Sequence, residues 1–150
     1  MIELAHVADV TVMVGEPLEI GPTGAGFRRV IPILGGEVRG PRLAGVVLPG
    51  GADWQTVRAD GVFELRARYA METHDGHKIL IDNFGIRRGP AEAMARLRRG
   101  EEADPASIYF RATPRFEAAH EDYRWLTRSI FLCDGARRRE RVELALYEVL

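Results

Sequence analysis

The sequence predicts an all-β, mainly antiparallel domain, closed or nearly closed into a β-barrel of about eight to ten strands with one short helix. Three observations carry this. Val62–Thr73 alternates with period two: Phe63, Leu65, Ala67, Tyr69 and Met71 on one face, Glu64, Arg66, Arg68, Ala70 and Glu72 on the other. That pattern is a strand signal. Pairs that favour tight hairpins recur at Gly35-Gly36, Asp60-Gly61, Asp75-Gly76 and Asp134-Gly135, where glycine takes positive φ at little steric cost. Only Gly89–Gly100 reads convincingly as a helix. Consecutive hairpins make an antiparallel meander, and a sheet of so many strands tends to curl or close, which removes exposed edges.

Taken in order, residues 2–14 are a strand rich in β-branched valine. Gly15–Gly26 is a loop with a short strand at Leu18–Ile20, since glycine and proline crowd it. Phe27–Leu34 is a strand that Pro32 confines to an edge or a bulge. Leu43–Leu48 and Trp54–Arg58 are short strands separated by Pro49-Gly50-Gly51. A two-residue turn at Asp75-Gly76 returns the chain along His77–Ile86. That register sets Arg68 opposite Asn83 and Tyr69 opposite Asp82. In the helix, Pro90 suits the first position, Glu92 supports Arg96 at i,i+4, and Gly100 suits the end. Ser107–Thr113 is a strand stopped by Pro114, Phe116–Thr127 is ambiguous, and Ser129–Cys133 and Val142–Leu150 complete the set.

At 150 residues the chain is one domain, residues 1–150, large enough to fold without disulfide staples. Hydrophobic residues make up 46% and charged residues 29%, the mixture of an ordinary globular protein. The formal net charge of −1 gives no general pull toward nucleic acid or an anionic membrane. Cys133 is the single cysteine, which excludes an internal disulfide and a cysteine-based metal cluster. The start, MIELAHVADVTVMV, lacks the basic residues of a signal peptide, and no run of about 18 apolar residues suggests a membrane span. The expectation is a cytoplasmic protein.

The familiar catalytic signatures are missing. Gly21–Gly26 and Gly35–Gly40 are glycine-rich, but neither continues into Lys-Ser/Thr nor leads from a strand into a helix, so hairpin turns explain them better than phosphate loops. His74 and His77 lack a third ligand, and Glu117 and His120 lack the bundle that would make them one, so no metal site is expected. Ser107 and Ser129 lie outside a nucleophile elbow, and Cys133 has no visible base. Arg137–Arg141 reads as a solvated edge.

The polar groups near the central hairpin are better candidates. Asp53 follows a flexible Pro-Gly-Gly and can act as a general acid/base, or simply cap its own turn. Arg68, Asn83 and Arg111 can hold developing negative charge if they point inward; the competing reading lays the arginine stems on the outer wall with their heads in water. Trp54, Tyr69, Tyr123 and Trp125 can wall a pocket or pack a core. Asp82, if buried opposite Tyr69, is a second acid/base candidate. Strand parity alone permits either face of Val62–Thr73 to look inward.

The runs GGEVRGPRLAGVVLPGGADWQTVRADGVFELRARY, DGHKILIDNFGIR, YFRATPRFE and YRWLTRSIF resemble domain-of-unknown-function family 3237, also called uncharacterised protein family 0311. The resemblance extends from about Gly26 to the C-terminus. It implies a small β-barrel similar to allene oxide cyclase and other lipocalin-like barrels, often assembled as homo-oligomers. It implies no activity and carries over no catalytic residue. The barrel likeness suggests a cavity for a small, mostly apolar ligand, by fold analogy.

The expected function is therefore binding of a small organic molecule, anionic or carbonyl-bearing, in the barrel lumen. Cofactor-independent isomerisation, cyclisation or cleavage would follow from positioning in a dry cavity. A non-catalytic carrier using the same lumen, and an oligomeric structural module with a filled core, are the alternatives.

Overall fold

The structure is a computed structural model describing Met1–Leu150. Ten strands form one antiparallel sheet: β1 (Leu4–Val14), β2 (Leu18–Thr23), β3 (Gly26–Arg39), β4 (Gly45–Val47), β5 (Ala52–Val57), β6 (Phe63–Thr73), β7 (Lys78–Arg88), β8 (Tyr109–Ala118), β9 (Phe131–Arg137) and β10 (Arg141–Val149). Their order is β1-β10-β9-β8-β7-β6-β4-β3-β2, with β5 between β3 and β6, and β1 paired back onto β3. That last pairing closes the barrel. β4 and β5 fill one position end to end between β3 and β6, and β1 and β2 share the other edge of β3. Helix α1 (Ala91–Arg98) joins β7 to β8 and buries Met94 and Leu97. A 3-10 segment, Glu121–Thr127, joins β8 to β9 and buries Tyr123 and Leu126. No helix is long and apolar enough to cross a membrane.

The inward face of each stave follows the period-two pattern. On β6 the buried residues are Phe63, Leu65, Tyr69, Met71 and Thr73, and on β7 they include Ile79, Ile81, Asn83, Gly85 and Arg87. At the end near the 3-10 segment the core is solid, with Met71, Leu126 and Phe131 essentially inaccessible and Phe116 edge-on to Phe131.

Two of the four expected turns lie inside strands. Gly35 and Gly36 belong to β3, at the point where its partner changes from β5 to β4. A Cβ on Gly36 would run into the Thr11 carbonyl oxygen, so glycine here admits β1 rather than reversing the chain. Gly135 pairs with Leu144 within β9, where a side chain would collide with the Phe110 ring; the reversal falls instead at Arg138–Arg141, which share a backbone hydrogen bond. β8 continues through Pro114, which pairs with Asn83. The proline is tolerated because β9 pairs with β8 only at Arg111 and Ala112, leaving Pro114 on a free edge. Pro32 sits beside a bulge, where β1 skips from Met13–Gly35 to Val14–Ile33.

Asp60-Gly61 is a turn as expected, bonded Gly61 N to Arg58 O. The Asp75-Gly76 hairpin is one residue longer than expected. Glu72 pairs with Lys78, and Thr73 N bonds His77 O, so His74, Asp75 and Gly76 form the loop. Gly76 takes φ +90°, and the Thr73 hydroxyl donates to Asp75 at 2.6 Å while accepting from His77 N. The longer loop shifts the register by one: Arg68 faces Asp82 and Ala67 faces Asn83. A one-residue slip exchanges the faces of the whole strand, which carries Asn83 inside and Asp82 outside.

Candidate active site in the barrel lumen

Toward the α1 end the lumen is hollow. A cavity of about 50 Å³ has an apolar wall that includes Val12, Val14, Ile31, Ile33, Leu65 and Leu144. Its polar lining is Asp53, Gln55, Tyr69, Asn83, Arg87 and Arg137. Each polar residue is delivered by strand parity. Asp53 and Gln55 are two apart on β5, and Asn83 and Arg87 share the inward row of β7. Arg137 ends β9 in the same row as Phe131 and Cys133.

The electrostatics are those of charge held out of water. Asp53 is partly buried, and its Oδ1 is fully enclosed with no hydrogen-bond partner. Its Oδ2 accepts from Gln55 Nε2 at 2.8 Å. Burial raises the Asp53 pKa above the usual carboxylate value, against the pull of the Gln55 bond and of the Arg87 and Arg137 charges. Arg87 is only 4% exposed, and burial lowers its pKa to about 10. Its guanidinium lies 5.3 Å from the centres of both Phe63 and Phe110. Burial also lowers the pKa of Arg137 and of Arg29, which sits 3.3 Å from Glu19. Burial raises the Tyr69 hydroxyl, so it remains a donor through the neutral range. Below the cavity, burial pushes the Cys133 thiol up to about 12, which makes it a packing residue rather than a nucleophile.

Three sequence candidates line this cavity: Asp53, Tyr69 and Asn83. The others lie elsewhere. Arg68 is on the exposed face of β6. Arg111 is on the outer face of β8, paired with Asp134 at 2.7 Å. Trp54 is 48% exposed on the outside of β5, because the inward parity of that strand belongs to Asp53 and Gln55. Asp82 is outside through the register shift and pairs with Arg66 at 3.0 Å. Tyr123 and Trp125 are on the 3-10 segment, where strand alternation does not apply. The Tyr123 hydroxyl donates to Asp75 at 2.5 Å, and Trp125 packs near Phe131 beneath the Arg42 guanidinium. His77 stacks on His120 at 3.8 Å, not against His74.

Gln55, Arg87 and Arg137 were not among the sequence candidates. Arg87 follows Ile79, Ile81, Asn83 and Gly85 at even spacing, a signal hidden by the expected register. Arg137 opens the run Arg137–Arg141, whose composition reads as a solvated edge. Gln55 could have been found from its place two residues after Asp53.

Fold and site together define a closed antiparallel barrel with a charged pocket inside an otherwise apolar lumen. The chain belongs to the family described as protein of unknown function (DUF3237), whose model matches residues 2–149. A UPF0311 protein of Rhodopseudomonas palustris is 46% identical over 99% of this chain and 97% of its own length. A crystal structure from that organism, described as a conserved protein of unknown function, superposes with TM-score 0.97 at 45% identity, covering 100% of this chain and 99% of the other. A β-barrel-like protein of Acinetobacter baumannii gives TM-score 0.88 at 36% identity over 100% and 97%. A protein of Penicillium herquei described as an enzyme shares the fold, with TM-score 0.73 at 19% identity over 99% and 95%.

Proposed function

We propose that the lumen binds a small organic molecule and that Asp53 exchanges a proton with it, so that the barrel acts as a cofactor-independent isomerase, cyclase or lyase. One observation carries this reading. Asp53 Oδ1, Gln55 Oε1, Asn83 Oδ1, Arg87 Nε and Arg137 Nη1 are all buried without a protein partner, and all five residues line one cavity. Buried polar groups are normally satisfied, and leaving one unpaired costs about 1–3 kcal/mol. Five around a single hollow fit a site shaped to bind a polar solute.

The chemistry follows from which groups give and which take protons. Asp53, when ionised, is a base whose basicity is raised by burial. The Tyr69 hydroxyl is a donor that would hold the oxygen of an enolate as the proton leaves the neighbouring carbon, with Arg87 and Arg137 adding positive potential beside it. The apolar wall keeps bulk water from that carbon. The fungal enzyme of the same fold supports the possibility of catalysis at the level of architecture only. A reducing cytoplasmic setting suits the lone Cys133.

The test is solvent exchange. The purified protein is incubated in heavy water with a panel of small carbonyl compounds, and deuterium uptake at carbon is followed by NMR. The proposal expects uptake with the native chain and none with Asp53→Asn. No uptake with any compound would remove the catalytic step and leave the carrier reading, in which the lumen binds and Asp53 only orients.

A further inference from the structure

The lumen distributes charge unevenly. Glu19 lies beside Arg29, which leaves Arg87 and Arg137 with Asp53 as their buried acidic neighbour. All three influence one another electrostatically. Yet the ion pairs within 4.0 Å include neither arginine and exclude Asp53. Elsewhere the chain pairs charges freely, as in Arg66–Asp82 at 3.0 Å and Arg111–Asp134 at 2.7 Å. One buried guanidinium, Arg87, and one partly buried one, Arg137, against one carboxyl leave at least one positive charge uncompensated, and such a charge held largely out of water is unfavourable.

We propose that the lumen ligand is a small organic monocarboxylate, its carboxylate held between Arg87 and Arg137 and its carbon end against Val12, Val14, Ile31 and Ile33. This rests on the lumen being a binding chamber and adds the chemical class of what it binds. Charge balance selects the single negative charge. Chemistry selects the carboxylate, because a guanidinium offers paired N–H donors matched to its two oxygens, and Arg87 Nε and Arg137 Nη1 are both unpartnered donors. Size selects a short chain. A cavity of about 50 Å³ has room for roughly three to five waters at about 10–15 Å³ each, hence a ligand with a handful of non-hydrogen atoms. The apolar wall separates such a ligand from an inorganic anion, which has nothing to place there.

The test uses the full chain labelled with nitrogen-15 arginine and with carbon-13 at isoleucine δ1 methyls. Pyruvate, acetone and inorganic phosphate are titrated separately. Arg87→Lys and Arg137→Lys spectra assign the two Nε–H signals, and the Ile31 and Ile33 methyls report the lumen itself. The expected result is that pyruvate shifts both arginine signals and both methyls. Acetone and phosphate should bind about tenfold more weakly or less, the weight of one charge-assisted contact. Acetone binding as tightly as pyruvate, with the methyls moving, would overturn the monocarboxylate while leaving lumen binding intact. Phosphate matching pyruvate would overturn the organic part. If no probe moves the methyls or the arginine signals, the binding chamber fails along with the ligand class.

Discussion

Asp53 and Arg87 line the same buried cavity and feel each other's charge without forming an ion pair. Each is desolvated, so burial disfavours the charged form of both. A barrel selected only for stability would replace them with aliphatic residues, as buried ion pairs often can be. Their retention in a closed apolar lumen is the mark of a site, and its stability cost gives the first two predictions.

Asp53→Asn should stabilise the free protein at neutral pH. A carboxyl whose folded pKa is raised contributes stability that is complete below its unfolded pKa, about 4, and is lost as pH rises through the folded value. The Tm advantage of the variant should therefore be present at pH 7, shrink as pH falls through the folded value toward about 4, and level off below that. Thermal unfolding of both proteins across that range checks it.

Arg87→Met should likewise hold or raise the Tm at pH 7. The folded pKa of about 10 lies below the ordinary arginine value, so the charged form is disfavoured by folding throughout the neutral range. The same variant should lose the pyruvate-induced shifts. A stable protein with an idle lumen is the pattern of a site that trades stability for function.

Tyr123→Phe should weaken acid resistance. The hydrogen bonds from Thr73 and Tyr123 hold Asp75 down to about 2. A depressed carboxyl contributes stability that is present above its unfolded pKa and is lost as pH falls from about 4 toward 2. Without the Tyr123 hydroxyl the Asp75 carboxyl should titrate higher, read directly by NMR of its side-chain carbon. Asp75 titrating unchanged in Tyr123→Phe would remove that bond from the explanation.

Two glycine substitutions should separate turn from closure. Gly76→Ala meets no atom within 4 Å and pays only for φ +90°, about 1–2 kcal/mol. Gly36→Ala drives a methyl into the Thr11 carbonyl on the strand that closes the barrel, and should cost more than about 4 kcal/mol. Urea unfolding of the two variants measures the difference.

These glycines also show why the sequence was only partly legible. Eleven residues of alternation in β6 make that strand and its two rows readable without coordinates, but only the closed barrel decides which row faces the lumen. Asp75-Gly76 marks the turn, but the Thr73 hydroxyl bonds that add one residue to the loop have no signature in an Asp-Gly pair. That one residue exchanged Asp82 for Asn83. Gly36 and Gly135 looked like turn residues because local pattern does not separate positive φ for reversal from missing Cβ for close approach. Asp53, Tyr69 and Asn83 could be found as polar residues near apolar strands. Arg87 and Arg137 could not, because buried cations run against the hydrophobic pattern by which inward positions are recognised.

Untargeted mass spectrometry of small molecules released from the purified protein tests the hollow, ligand-bearing lumen most directly, with an Ala67→Leu variant as control. Ala67 lines the cavity between its cross-strand partners Asn83 and Asp53, so leucine there fills the space while leaving every charged side chain in place. A lumen that binds predicts a small carboxylic acid enriched with the native chain and missing from the variant. Identical profiles from two folded proteins would contradict it.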